Sequence, residues 1–503
     1  MGKKRFLTSV FIALVGVALM NSPAMSKPFE VLERPGNIFF YITQGGSFSL
    51  LDKDKYDVEE GFNSALMNLL VEGDYRPRDN LKFFASTMFT VDWIYQLKHN
   101  DSSWNDKLFA KSKNELNVDD EYWQLLKEIH FTWTPPNFFL RAGKQIVKWG
   151  EMDGFRIMDQ INPADGRRGF QDVEFETSVI PIWLVRAEYS PKIQTSWLTD
   201  LGFEFVFNPN ADFIPDQRGK TGNDAGGTMG PNVLVPGPFP FGEVHIGSPF
   251  ENIEEPDEWK EGLEFAFRVK GLVYNSMVTL NGFYGRDNRP VLQSSPIPPV
   301  FTTASDGRLI LHPFQEGSYH LFRFVGGTFS RMIDPLRAAF LGNVAPVIRL
   351  EGFYAFDSTF LDKNNALFKS DELRWGVGLD WSVKIPFLHP RNYFKIGPQF
   401  YHRRVMDYPR VGMSSLQDNN YAATLGVKTS YYKGKLTPSV FYYSDISTKS
   451  NFWKLQLTYA PTASWSYTVG TTFFNGEDKE DYKLFQLFDN KDQLFFKVSY
   501  KWG

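Results

Sequence analysis

The residues that could do chemistry are scattered along the chain. His99, His130, His245, His312, His320, His389 and His402 stand far apart, with no HExxH or other close metal-ligand spacing. No GxSxG elbow, phosphate-binding loop or GxGxxG turn before a helix occurs. Cysteine is absent, which excludes thiolate metal sites, cysteine nucleophiles and CxxC redox pairs. One catalytic arrangement stays open, a serine–histidine pair assembled from separate strands as in a hydrolase. Its test is a serine within hydrogen-bond reach of one of these histidines. The expectation is a protein that is not an enzyme and uses no metal or cofactor.

The charged residues say more, because many alternate with large apolar ones. Leu373, Trp375, Val377, Leu379, Trp381 and Val383 alternate with Arg374, Gly376, Gly378, Asp380 and Ser382. Trp453, Leu455, Leu457 and Tyr459 alternate with Lys454, Gln456 and Thr458, and Leu263 to Val269 with Glu264 to Lys270. Successive side chains of a strand point to opposite faces, so this period of two predicts strands with one apolar and one polar face. A soluble sandwich would alternate too. The strands these runs predict, however, are 10 to 14 residues long, enough to cross a bilayer, and carry Trp and Tyr at their ends.

Composition supports a membrane barrel. Aromatic residues make up 17% of the chain, with 48 Phe, yet the mean hydropathy is −0.32. A barrel needs such a mixture, because only alternate residues meet lipid. Eighteen strands are predicted, with sixteen as the alternative count. They begin near residues 38, 63, 81, 122, 138, 180, 197, 260, 274, 318, 346, 371, 392, 419, 436, 450, 464 and 491. The predicted class is all-β, a transmembrane antiparallel β-barrel with short periplasmic turns and long extracellular loops.

The first residues read as a secretory signal peptide. Lys3, Lys4 and Arg5 precede an apolar run from Phe6 to Met20, and Ala24-Met25-Ser26 places cleavage before Lys27. The expected organisation is therefore a leader over 1–26 and one barrel domain over 27–503, in the outer membrane of a Gram-negative bacterium. Formal net charge is −4, or −7 without the three leader charges, which offers nothing for nucleic acid. Outer-membrane lipids are the expected surroundings, and self-association into an oligomer is compatible with the fold.

Turning each polar face inward predicts the lumen lining. It comprises Arg141, Gln145, Arg186, Glu188, Glu204, Glu264, Arg268, Lys270, Arg349 and Glu351, with Arg374, Asp380, Lys395, Lys428, Lys454 and Lys497. Ten of these sixteen are basic and five acidic, against a net acidic chain. They form either a solvated wall or a basic strip that concentrates anions in a narrow aqueous path. The segment from Asp159 to Arg168 is predicted to constrict that path, through Asp159, Asn162, Asp165, Arg167 and Arg168. Asn162-Pro163 and Asp165-Gly166 supply its turns. Lys144 falls on the lipid-facing parity, so either a bulge shifts the register there or the strand ends before the membrane core. Two long loops carry apolar runs, Val233 to Phe241 and Pro296 to Phe301. Such runs either pack together as a lid or line the mouth of the barrel for an amphipathic solute.

Leu140 to Tyr189 reads LRAGKQIVKWGEMDGFRIMDQINPADGRRGFQDVEFETSVIPIWLVRAEY. Gly143, Lys144, Gln145, Trp149, Gly150, Ile161, Asn162, Pro163, Asp165, Pro181 and Trp183 make this stretch resemble an uncharacterised, porin-like family of Gram-negative outer-membrane proteins. Alginate-export porins look like more distant relatives. The resemblance implies a barrel with a polar segment tucked into its lumen, linked to RND-type transport systems and to lipids or hydrophobic compounds. The function these readings favour is a porin-like channel for small solutes, anionic or amphipathic. The alternative is a barrel that sheathes or docks a partner protein, and an outer-membrane hydrolase ranks third.

Overall fold

A computed structural model describes residues 27–50, 61–93, 97, 126–164, 179–211, 234–235, 244–246, 250–254, 256, 261–303, 309–413, 416–476 and 492–502. The leader over 1–26 lies outside the described residues. Eighteen strands form the wall. They are β1 (Arg34–Ser49), β2 (Leu66–Arg78), β3 (Leu81–Asp92), β4 (Leu126–Trp133), β5 (Phe138–Gln145) and β6 (Ile182–Tyr189). Next come β7 (Leu198–Asn208), β8 (Glu264–Val273), β9 (Ser276–Arg286), β10 (Leu321–Met332), β11 (Val347–Leu361) and β12 (Leu367–Lys384). The last six are β13 (Tyr393–Val405), β14 (Asn419–Lys428), β15 (Leu436–Asp445), β16 (Ser450–Tyr459), β17 (Trp465–Gly476) and β18 (Gln493–Trp502). Every neighbouring pair is antiparallel, and β1 closes on β18 from Phe40↔Trp502 to Ser49↔Gln493. Closure gives every strand two partners and leaves no edge to be satisfied in lipid. The predicted class and strand count therefore stand at eighteen.

The two faces separate as the alternation requires. On β8, Phe265 and Phe267 are exposed while Glu264 and Ala266 are buried. Trp133, Tyr189, Trp197, Tyr459 and Tyr467 gather at one end of the outer surface, where an interface belt belongs. At that end the links are 79–80, 134–137, 190–197, 274–275, 333–346, 385–392, 429–435 and 460–464. Two of them have only two residues, and in one of these, Tyr274-Asn275, both residues are at positive φ, as a two-residue hairpin between twisted strands demands. The opposite end carries the long links, with two exceptions, 362–366 and 446–449.

Two of the long links at that end, 209–263 and 287–320, pair with each other. Phe250–Glu254, Phe314–Ser318 and Val291–Ser294 form one small sheet. Leu234–Val235, Val244–Ile246, Leu309–His312 and Val300–Thr303 form another. Backbone pairing between the loops is the arrangement a lid requires. Most of the apolar run from Val233 to Phe241 lies outside the described residues, whereas Ile297, Val300 and Phe301 are exposed.

Candidate functional site

The chain does not continue outward after β5. It turns inside the barrel, and residues 146–164 run through the lumen without joining a strand. A segment with no ladder must satisfy its backbone by other means. Here its own polar side chains do so. Asn162 Oδ1 accepts from Val147 N at 2.8 Å, and its Nδ2 donates to Gln145 O at 3.1 Å and Ile180 O at 2.9 Å. Asp159 Oδ1 accepts from both Trp149 N and Gly150 N at 2.7 Å. A Cβ at Gly150 would sit 2.8 Å from Asp159 Oδ2, so this approach needs glycine. Gln160 Nε2 donates to Arg156 O and Ile157 O, and Arg156 Nη2 donates to Asn162 O at 2.8 Å.

With its backbone folded on itself, the segment presents apolar side chains to the wall. Val147, Trp149, Met152, Phe155, Ile157, Met158 and Ile161 are buried against Leu184, Val206, Ala266, Phe283, Phe322, Phe324 and Phe353. Phe155 stacks on Tyr401 with centroids 5.1 Å apart. At roughly 1.5–3 kcal/mol for each large apolar side chain fully buried, this contact is enough to hold the segment in place.

Charge follows the same division. Arg141 and Arg186 stand opposite each other on β5 and β6. Arg186 pairs with Glu188, and its Nε lies 2.8 Å from Glu204 Oε1, which also accepts from Trp149 Nε1 at 3.0 Å. Lys270 reaches Glu188 at 2.7 Å, and Glu264 accepts from Asn208 Nδ2 at 2.9 Å. Arg268 shares this face, between Glu204 on β7 and Asn281 on β9. Gln145 is fully buried and donates to Leu184 O at 3.1 Å. Arg349 joins wall to segment, reaching Asp153 at 3.0 Å and Asp380 at 2.7 Å while donating to Glu151 O. Glu351 accepts from Glu151 N at 3.1 Å. Arg374 pairs with Glu372 at 2.6 Å and lies over the rings of Phe322 and Phe353.

Lys395, Lys428, Lys454 and Lys497 fall on the other half of the wall. Lys395 is directly opposite Lys428, and both are exposed. Lys454 Nζ lies 5.3 Å from the Phe495 ring centroid, and Lys497 stands opposite Thr468. A cavity of about 570 Å³ opens between the segment tip, Asp153 and Gly154, and the wall from β12 to β16.

Of the expected constriction residues, Asp159 and Asn162 turn onto the segment's own backbone, while Asp165, Arg167 and Arg168 lie outside the described residues. Several charged partners were missed by the sequence reading. Glu372 shares the parity of Arg374 but precedes Leu373, where the apolar–polar alternation of β12 becomes regular. Glu151 and Asp153 escaped because the inturned segment begins well before Asp159. Lys144 keeps its outward parity, opposite Trp183. Its Nζ donates to Leu126 O at 3.0 Å, and the register shift lies between β3 and β4 at Ser86/Thr87.

A serine–histidine contact does occur, Ser318 Oγ to His320 Nε2 at 3.2 Å. Burial and the nearby Arg286 hold this imidazole below its ordinary range. Among the described residues no carboxylate hydrogen-bonds its Nδ1, so the orienting third member of a triad is lacking.

A family model described as a protein of unknown function (DUF1302) matches residues 46–213, a stretch that includes β5, the inturned segment and β6. No curated protein matches the chain. Solved structures similar to it are membrane barrels of low identity. OccK3 (OpdO) of Pseudomonas aeruginosa is 9% identical, with TM-score 0.45 over 93% of this chain and 95% of that one. OccK5 (OpdH) of the same organism is 10% identical, with TM-score 0.44 over 93% and 98%. OmpF of Salmonella typhi, solved in complex with daunomycin, is 8% identical, with TM-score 0.38 over 95% and 100%. The chain itself is a closed eighteen-stranded barrel of outer-membrane type, narrowed by its own residues 146–164.

Proposed function

We propose that this barrel is a porin-like channel of the Gram-negative outer membrane, carrying small solutes past the inturned segment. The observation that carries the reading is the asymmetry of the lumen. Most of the segment's apolar side chains pack against β6 to β11, with Phe155 reaching Tyr401 and Tyr443 on β13 and β15, while the inner face of β13 to β18 stays partly accessible beside a 570 Å³ cavity. A path running along a wall with Lys395, Lys428, Lys454 and Lys497 favours anions, because a low-dielectric surround focuses the field of the wall charges. Asp153 and Asp380, the carboxylates bordering the cavity, are both held by Arg349.

Purified full-length protein in a planar bilayer tests this. Steady single-channel conductance, with a reversal potential under a salt gradient displaced toward the anion, is the expected result. Silent bilayers would overturn the channel reading in favour of a barrel that docks a partner. A reversal potential favouring cations would overturn the anion preference alone.

A further inference from the structure

The cavity beside the segment tip has a layered wall that the strand register sets out row by row. In the row nearest the short turns, Ser382, Lys395, Lys428, Ser439 and Gln456 follow one another across β12 to β16. Two lysines directly opposite each other repel and destabilise a sheet. Among the described residues neither ammonium has an ion pair. One row up, Gly397, Gly426 and Phe441 are neighbours. A Cβ built at Gly397 would meet nothing closer than Asp380 Oδ1 and Leu379 O at 3.9 Å, and one at Gly426 nothing closer than Gly397 O at 4.0 Å. Neither glycine has a positive φ. Wall sterics and backbone conformation therefore do not call for glycine here, and the two positions leave a bare floor beside a phenyl ring. The next row, Gln399 and Thr424, is closed by Gly154 of the segment, whose N–H donates to Gln399 Oε1 at 2.9 Å.

A pair of unpaired cations under an open, flat, partly apolar floor that is roofed by backbone matches one kind of ligand. We propose that this pocket binds a small organic carboxylate, held between Lys395 and Lys428, with its apolar body over Gly397 and Gly426 against Phe441. The carboxylate relieves the lysine–lysine repulsion through charge-assisted hydrogen bonds. The volume of about 570 Å³ lies within the range of small-molecule sites. The proposal deepens the channel reading and rests on it only in that solutes must reach the lumen.

Equilibrium dialysis of the full chain in detergent micelles tests the pocket without a membrane, using phenylacetate and its uncharged amide, phenylacetamide. Phenylacetate should bind once per barrel and at least about tenfold more tightly than phenylacetamide, the effect of a charge-assisted contact. The double variant Lys395→Gln with Lys428→Gln should weaken phenylacetate by a similar factor. Gly426→Leu should weaken it by filling the floor while both lysines remain, and Phe441→Ala serves the same purpose should that variant misfold. Heat-modifiable migration on gels verifies that each variant is folded. Equal binding of acid and amide, or unchanged phenylacetate binding in either class of variant, would overturn the site. Steady conductance without phenylacetate binding removes the site and leaves the channel reading. Phenylacetate binding with silent bilayers removes the channel reading and leaves the site.

Discussion

The wall from β5 to β11 and the wall from β13 to β18 have the same alternation and opposite interiors. On the first, polar residues are sealed under the inturned segment, and the buried carboxylates Glu204, Glu264 and Glu351 each accept a hydrogen bond. Glu204 is fully buried yet touches both Arg186 and Trp149. On the second, Lys395 faces Lys428 across one ladder step, an arrangement tolerable only where water or a counter-charge is near. The period-two pattern that builds a strand is thus indifferent to whether its polar face ends up wet or dry. What lies over that face decides which partners it needs.

The largest expected effect comes from the dry side. Trp149→Ala removes a side chain that is 1% exposed and anchors the segment to Glu204, and should cost about 3–5 kcal/mol in guanidinium unfolding. With its anchor gone the segment should loosen and single-channel conductance rise. Unchanged conductance would mean that this segment does not narrow the path. Glu372→Gln comes next. It leaves Arg374 and Arg403 facing each other without their shared carboxylate, and should lower stability by about 3 kcal/mol, read as a lower urea midpoint. A loss below about 1 kcal/mol would show that this border of the two halves is wetter than its burial suggests.

Asp159→Ala strips the acceptor from Trp149 N and Gly150 N together and should cost about 1–3 kcal/mol. Faster hydrogen exchange confined to 146–164 is the signature that separates this local effect from global loss. At the small end, Lys395→Gln should change stability by no more than about 0.5 kcal/mol. It should still move the reversal potential toward cations. An equal stability loss for Lys395→Gln and Glu372→Gln would erase the distinction between the two halves.

Much of the wall was legible in the sequence. Each of the eighteen strands begins within four residues of its expected start, because alternation and turn residues are local signals. The inward parity of Glu264, Arg349 and Arg374 followed from the same pattern. The inturned segment was harder to read. Its polar residues suggested a charged constriction, but Asp159 and Asn162 are spent on backbone N–H groups, and the surface it offers is Trp149, Ile157 and Met158. Nothing in the spacing of those apolar residues distinguishes a lumen plug from an outer loop.

The sequence by itself determined the strands, their number and which side chains share a face, since these depend on neighbours one and two residues away. Tertiary structure alone decided which half of the lumen is dry. The pairings that seal it, Arg349 with Asp153 and Gln399 with Gly154, join residues about two hundred or more positions apart. They exist only because closure of the barrel brings distant strands around a segment that could not bury its apolar side chains elsewhere.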